Sequence, residues 1–188
     1  KGKATGEQWL DVARAAHKLG IPSNCTMLYG HIETIEDRVD HLIRLRELQD
    51  ETNGFVTFIP LAFQPWEAPN MKLPETTGFE DLKAIAVARL MLDNIPHIKA
   101  YWIMLGIGTA QTALAYGADD IDGTVTEERI AHDAGAQTAQ SMSVHELCRL
   151  VREAAEDDVR DGGRWLEIQV DPSGYAARFG GITAFTDL

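Results

Sequence analysis

A chain of 188 residues with 45% hydrophobic side chains has the length of one domain and can furnish a sizeable core. Seventeen basic against twenty-nine acidic side chains give a formal charge of −12, which repels phosphate backbones and anionic lipid, so neither nucleic acid nor a membrane is an expected partner. Cys25 and Cys148 are the only cysteines, far apart in the chain, which leaves no disulfide framework and no paired metal-ligand motif; a reducing cytoplasm is the expected setting. No apolar run approaches the roughly 20 residues of a membrane helix. The chain opens on Lys1-Gly-Lys-Ala without an initiator methionine, directly into a helix pattern, as expected for a piece of something longer.

In chain order, Trp9, Leu10, Ala13, Ala16 and Leu19 recur near a helical period, and Thr5 with Gln8 forms a capping box, predicting a helix over Glu7 to Leu19. Cys25 to Tyr29 is short and apolar, as in a buried strand. Thr34 and Asp37 open a second helix with Ile35, Val39, Leu42 and Ile43 as its apolar stripe, and Asn53-Gly54 ends it. A strand is expected over Phe55 to Phe63, then a proline-rich loop to Thr77. Thr77 and Glu80 cap a third helix whose inward side includes Leu82, Ile85, Ala86, Leu90 and Met91. Ile98 to Leu105 reads as a strand, Thr109 to Tyr116 as a short alanine-rich helix, and Asp119 to Thr124 as a last strand. Ser143 and Glu146 cap a closing helix carrying Leu147, Leu150 and Val151.

Strand and helix thus alternate, and the strands read as continuously apolar, which predicts an α/β fold with parallel strands covered by helices, a TIM-type (β/α) barrel or part of one. Residues 1–160 fall within this pattern. Residues 161–188, rich in Gly and scattered aromatics, form an extension of unknown role.

In such a fold, ligands lie beyond the carboxyl ends of the strands, which singles out four clusters. The first is Gly30, His31 and Glu33: the glycine lets backbone approach a flat base and the carboxylate accepts from a polar group, or Gly30 only turns the chain and Glu33 caps the helix. The second is Pro60, Phe63, Gln64 and Pro65, a stiff wall with one amide, or ordinary core. The third is Asn94 with Tyr101 and Trp102, where Asn94 can equally turn the chain before Pro96. The fourth is Asp119, Asp120, Asp122, Thr124, Glu127 and Glu128. As a carboxylate set it suits a divalent cation, but alternate strand residues share a face, so Asp120, Asp122 and Thr124 point together and suit hydroxyl groups; no metal is expected.

Four segments together resemble a known family: Thr26-Met-Leu-Tyr-Gly-His-Ile-Glu33, Phe58-Ile-Pro-Leu-Ala-Phe63, Arg89-Leu-Met-Leu-Asp-Asn-Ile-Pro-His97 and Gly117-Ala-Asp-Asp-Ile-Asp-Gly-Thr124. The first is similar to the adenosylmethionine-binding strand of radical S-adenosylmethionine enzymes, and the set resembles the menaquinone (futalosine) branch of that superfamily, the aminofutalosine synthase family above all. The resemblance implies the carboxyl-terminal half of the barrel, with S-adenosylmethionine at Thr26, Leu28, Gly30 and Glu33. It implies an aromatic carboxylate enol ether, 3-[(1-carboxyvinyl)oxy]benzoate, as the small-molecule substrate, held among Pro60, Phe63, Gln64, Asn94, Trp102, Asp120, Asp122 and Thr124. Gln64 stands where members often carry histidine and sister cyclases glutamine. The family's 4Fe-4S cluster needs a CxxxCxxC motif that this chain lacks, so the cluster is expected on the missing amino-terminal half of the barrel, the chain's expected partner, and the chain alone is expected to be inactive. Dehypoxanthine futalosine cyclase is the sibling reading, with the deazaflavin-cofactor synthases next; a non-catalytic half-barrel binding a nucleoside or aromatic acid, and a metal-dependent hydrolase or lyase, are the others.

Overall fold

The computed structural model describes residues 2–65, 73–123 and 142–160, with side chains described as far as residue 154. Helix α1 (Gly6–Lys18) starts at Thr5, whose hydroxyl accepts the Gln8 amide while the Gln8 side chain returns to the Thr5 N–H. The same reciprocal cap opens α2 (Ile35–Thr52) through Thr34 and Asp37, and α3 (Gly78–Met91) through Thr77 and Glu80. Each satisfies two of the amides that a helix start leaves without partners. Asn53 ends α2 in the left-handed region at φ 48°, a conformation asparagine tolerates.

Strands β1 (Ser23–Tyr29), β2 (Phe55–Ala62), β3 (His97–Ala100) and β4 (Asp120–Ile121) form one parallel sheet in the order β1-β2-β3-β4. Cys25 pairs with Phe58 and Tyr29 with Ala62, Phe58 pairs with Ile98, and Lys99 pairs with Asp120. After β3 come two short helices, α4 (Trp102–Leu105) and α5 (Ile107–Ala113), and after β4 the helix α6 (Val144–Arg160). The core lies between the sheet and the helices: Cys25, Met27 and Tyr29 of β1 and Phe58 of β2 meet Leu42, Leu45, Ile85, Ala88 and Trp102 in one cluster.

Five expectations need correction. The strand expected over Ile98 to Leu105 stops at Ala100, and Trp102–Leu105 is a helical turn. Among the described residues β4 is two residues long and pairs with β3 only through Lys99 and Ala100, and the Asp119 carboxylate just before it accepts the Ile98 N–H at 2.8 Å. The last strand likewise shrinks from Asp119–Thr124 to Asp120–Ile121, with Thr124 outside the described residues. On α2 the inward side is Leu42, Leu45, Leu48 and Gln49, while Ile35 is 69% exposed and Ile43 is also exposed. Gln49 sets that rotation, its side chain accepting the Phe55 N–H and donating to the carbonyls of Phe55 and Asn94. On α3, Leu90 faces solvent, and Asp81, Ile85 and Ala88 face inward.

The fifth correction bears on function. Instead of being buried on both faces, β1 alternates: Cys25, Met27 and Tyr29 are buried while Thr26 and Leu28 are exposed. The described helices cover one face of the sheet. By register, the other, open face carries Thr26 and Leu28 from β1, Ile59 and Leu61 from β2, Lys99 from β3 and Asp120 from β4.

Candidate functional site

The turn leaving β1 is built from its own neighbours. Gly30 has φ +88°, and a Cβ there would lie 2.3 Å from Cγ2 of Thr76, in the segment leading into α3. The side chain is therefore excluded by packing and by backbone conformation together. Glu33 folds back beneath the turn, its carboxylate accepting the Gly30 N–H at 2.6 Å, the His31 N–H at 2.9 Å and the Arg38 Nε at 2.7 Å. Burial pushes this carboxyl up, but the amides of Gly30, His31 and Glu33 itself, with the Arg38 charge, outweigh it and hold it below its ordinary range. Arg38 also lies over the Tyr29 ring, 5.4 Å from its centroid, and the Tyr29 hydroxyl donates to buried Asp81 at 2.7 Å. Burial raises the Asp81 carboxyl, against the pull of its hydrogen bonds from Tyr29 and Thr76. Thr76 thereby touches both ends of one chain of contacts from Gly30 to Asp81.

Thr26 and Leu28 stand on the open face before this turn, Leu28 44% exposed. The Thr26 carbonyl on the free edge of β1 receives the Nε2 side of His41 at 3.0 Å.

At the exit of β2, Pro60 pairs with Met27 and is buried in the helix-covered row, not on the open face. Phe63 is buried and meets the edge of the His31 ring at 5.7 Å between centroids. Gln64, also buried, donates to the Ala62 carbonyl at 3.3 Å and reaches that of Met104 at 3.5 Å, so its amide braces β2 against α4. Phe63 and His31 thus form a wall shared by the first two strand exits.

The third cluster comes apart. Asn94 lies before the amino end of β3, opposite the strand exits, where its Nδ2 donates to the Arg46 carbonyl and to Asp50 on α2. Trp102, 1% exposed, lies past the other end, and its indole N–H donates to the carbonyls of Asp122 at 3.1 Å and Gly123 at 3.4 Å. Both residues hold the frame of the site.

At the β4 exit, Asp120 and Asp122 share Lys99: its Nζ lies 3.5 Å from Oδ2 of Asp120 and 2.9 Å from Oδ1 of Asp122. Burial and the nearby Asp122 charge raise the Asp120 carboxyl, with Lys99 and His97 pulling it down. Burial lowers Lys99, yet the two aspartates reverse that and leave it raised. Asp119 turns the other way, pairing with Arg89 of α3 at 2.8 Å and with Nδ1 of His97 at 3.3 Å. Thr124, Glu127, Glu128 and His132 lie outside the described residues.

Among the described residues no group of three or more His, Cys, Asp or Glu is arranged to hold a metal ion. Neither cysteine fits an iron-sulfur cluster: Cys25 is fully buried, its thiol pushed up to about 12 by burial and turned to the Thr57 carbonyl, and Cys148 lies on α6. No described helix is long and apolar enough to cross a membrane.

Sequence reasoning passed over Lys99, Arg38, Thr76 and Asp81. Lys99 had a signal: a lysine inside an apolar strand needs counter-charges, and an aspartate-rich strand follows. Thr76 and Asp81 had none, since their role depends on tertiary contact with Gly30 and Tyr29.

Residues 52–160 match the family model described as the CofH/MqnC C-terminal region. The chain is 51% identical over 174 residues to an aminodeoxyfutalosine synthase of Thermus thermophilus, covering 90% of this chain and 47% of the relative. It is 46% identical over 170 residues to an aminodeoxyfutalosine synthase of Streptomyces coelicolor, 85% of this chain and 44% of the relative. A 5-amino-6-(D-ribitylamino)uracil–L-tyrosine 4-hydroxyphenyl transferase of Methanothermobacter thermautotrophicus is 42% identical over 171 residues, 88% of this chain and 46% of the relative. The chain therefore spans a little under half the length of these relatives.

Proposed function

Because the chain belongs to the CofH/MqnC C-terminal region family, we propose that it forms the carboxyl-terminal part of a radical S-adenosylmethionine enzyme of the aminodeoxyfutalosine synthase type, completing a TIM-type barrel with an amino-terminal half. The whole enzyme joins the 5′-deoxyadenosyl group of S-adenosylmethionine to 3-[(1-carboxyvinyl)oxy]benzoate in the futalosine route to menaquinone. The observation that carries the reading within this chain is the open sheet face. Its strand exits present an apolar stretch at one side, with Thr26 and Leu28, and a hydrogen-bonding end at the other, with Asp120 and Asp122.

Each part of that face has a task. Thr26 and Leu28 would hold the adenosyl moiety, Leu28 by apolar contact with the base. Gly30 and Glu33 serve that contact indirectly, by fixing the turn that ends β1. Phe63 with His31 walls the space for the benzoate ring. Asp120 and Asp122 accept hydroxyl groups. Pro60, Gln64, Asn94 and Trp102 act behind the site, as its support. The cysteines of this chain do not fit the iron-sulfur cluster, so the cluster belongs to the amino-terminal half.

The test is anaerobic turnover by the full-length protein with S-adenosylmethionine and 3-[(1-carboxyvinyl)oxy]benzoate, followed by mass spectrometry. Aminodeoxyfutalosine is the expected product, and Asp120→Asn should lower its formation about ten- to a hundredfold, the cost of one good hydrogen bond to a charged acceptor. Absence of that product, with 4-hydroxyphenyl transfer from tyrosine to 5-amino-6-(D-ribitylamino)uracil instead, would replace this reading with that of the Methanothermobacter relative.

A further inference from the structure

We propose that Tyr29 and Asp81 are positioning residues: they tie the exits of β1 and β2 into one rigid unit, so that the adenosyl group and the aromatic acid are held in alignment, although neither residue reaches a ligand. The inference rests on the reading above that Thr26 and Leu28 hold the adenosyl group and that Phe63 with His31 walls the benzoate ring.

Tyr29 is the last residue of β1, and its backbone, ring and hydroxyl are each engaged. Its carbonyl accepts the Phe63 N–H at 2.8 Å, which fastens the exit of β2. Its ring lies under the Arg38 guanidinium, and Arg38 reaches through Glu33 to the Gly30 and His31 amides. Its hydroxyl donates to Asp81, on the first turn of α3, at 2.7 Å. Asp81 in turn accepts from Thr76, whose Cγ2 fills the space over Gly30. The contacts therefore close on themselves, from Gly30 through Glu33, Arg38, Tyr29, Asp81 and Thr76 back to Gly30. In such a ring no member shifts without its neighbours, and Phe63 is fastened to it through the Tyr29 carbonyl.

Burial separates this role from ligand contact. Tyr29 is 0% exposed and Asp81 5%, and the Tyr29 side chain lies on the helix-covered side while Leu28 before it stands on the open face. Burying a carboxylate is costly, and an apolar pair of similar volume would hold α3 against β1 as well. What the bond from hydroxyl to carboxylate adds is direction, since an apolar contact tolerates sliding and a short hydrogen bond does not. Joining two substrates needs that precision: a misplacement of about 1 Å, caused far from the reacting atoms, can cost about a hundredfold in rate.

Full-length, cluster-loaded protein provides the test, read in two ways. With both substrates and a reductant present, S-adenosylmethionine that is cleaved but not joined to the acid leaves as 5′-deoxyadenosine, after taking a hydrogen atom from the buffer or the reductant. The ratio of 5′-deoxyadenosine to aminodeoxyfutalosine therefore measures misalignment and is independent of how much of the protein is folded. Tyr29→Phe should raise that ratio about tenfold or more and lower kcat, with KM for each substrate moved much less. Asp81→Ala should do the same, while Asp81→Asn, which keeps an oxygen for the Tyr29 hydroxyl, should stay near the wild type. Hydrogen exchange read by mass spectrometry is the second measurement and needs no turnover. S-adenosylmethionine added alone should slow exchange across residues 26–33 and 58–65 together in the wild type, and across 26–33 alone in Tyr29→Phe. Thr76→Val, which keeps a methyl over Gly30 and removes the hydroxyl from Asp81, gives the same comparison if the phenylalanine variant does not fold. A fall in turnover with the ratio unmoved would overturn the inference and leave the pair a part of folding stability only. So would protection of 26–33 alone in the wild type, or a ratio raised as much by Asp81→Asn as by Asp81→Ala. A wild-type protein that forms no aminodeoxyfutalosine would instead remove the reading of the reaction, and the two positioning residues with it.

Discussion

Substituting Gly30 by alanine tests whether the turn after β1 is held by its own neighbours. Two costs are separable in the structure. The first is conformational: at φ +88° an L-residue is strained by about 1–2 kcal/mol. The second is steric: the new methyl would lie 2.3 Å from Cγ2 of Thr76, an overlap that must be relieved by moving Thr76, with an overpacking cost of about 1–3 kcal/mol. Together, Gly30→Ala should lose about 2–5 kcal/mol by urea unfolding. Thr76→Ser removes Cγ2 but keeps the hydroxyl that bonds Asp81, so in the double variant the steric part should largely return while the conformational part stays. The double-mutant cycle should therefore show a favourable coupling of about 1–3 kcal/mol. A coupling near zero, or an alanine variant as stable as the wild type, would refute the packing argument and return Gly30 to direct contact with a ligand.

Three further outcomes follow from the hydrogen-bond and charge pattern. Glu33→Gln should cost about 1–3 kcal/mol at pH 7, since its carboxylate serves two amides and Arg38. The folded carboxyl titrates below the ordinary 4.5, so its contribution is present above that value and lost as pH falls through the folded pKa; the gap between variant and wild type in a pH series of unfolding curves should close there. His17 is buried between Thr52 and Ser23 and burial lowers its pKa, so the folded state favours the neutral ring; stability should decline as pH falls below the ordinary 6.5, and less steeply in His17→Gln when melting temperatures are compared. Asp119→Asn should cost about 0.5–1 kcal/mol of stability by losing the half-exposed Arg89 pair, and turnover of the full-length protein should be unchanged, the reverse of Asp120→Asn.

The caps at Thr5, Thr34 and Thr77 were legible because a capping box is a bond between residues three apart, and nothing distant competes with it. The order of strands and helices was legible for a similar reason. What escaped the sequence was rotation, register and reach. Ile35 and Ile43 fit a helical stripe as well as Leu45 and Leu48 do; the choice was made by Gln49, which fastens α2 to the Phe55 backbone. The apolar run through Leu105 did not set the length of β3, which ends at Ala100 beside a two-residue β4 and gives way to a helical turn at Trp102. Asn94 and Trp102, eight positions apart, bracket a strand of four residues and so reach opposite ends of the sheet.

The carboxylates of this chain show why residue type alone does not mark a site. Glu33, at a strand exit and inside a family-like motif, is satisfied by two backbone amides and an arginine, and a group so fully occupied has little left to offer a ligand. Asp119 is likewise taken, by the Ile98 N–H, Arg89 and His97. Asp120, its immediate neighbour, meets Lys99 through a single oxygen on the face that no described helix covers. All three are acids beside the ends of parallel strands, yet they differ in how many of their acceptor positions the fold has already filled. Donor supply within the fold therefore separates the carboxylates that hold the frame from those that can hold a substrate, and it depends on register: a shift of one residue in the pairing of β3 with β4 would bring Asp119 or Ile121 beside Lys99 in place of Asp120.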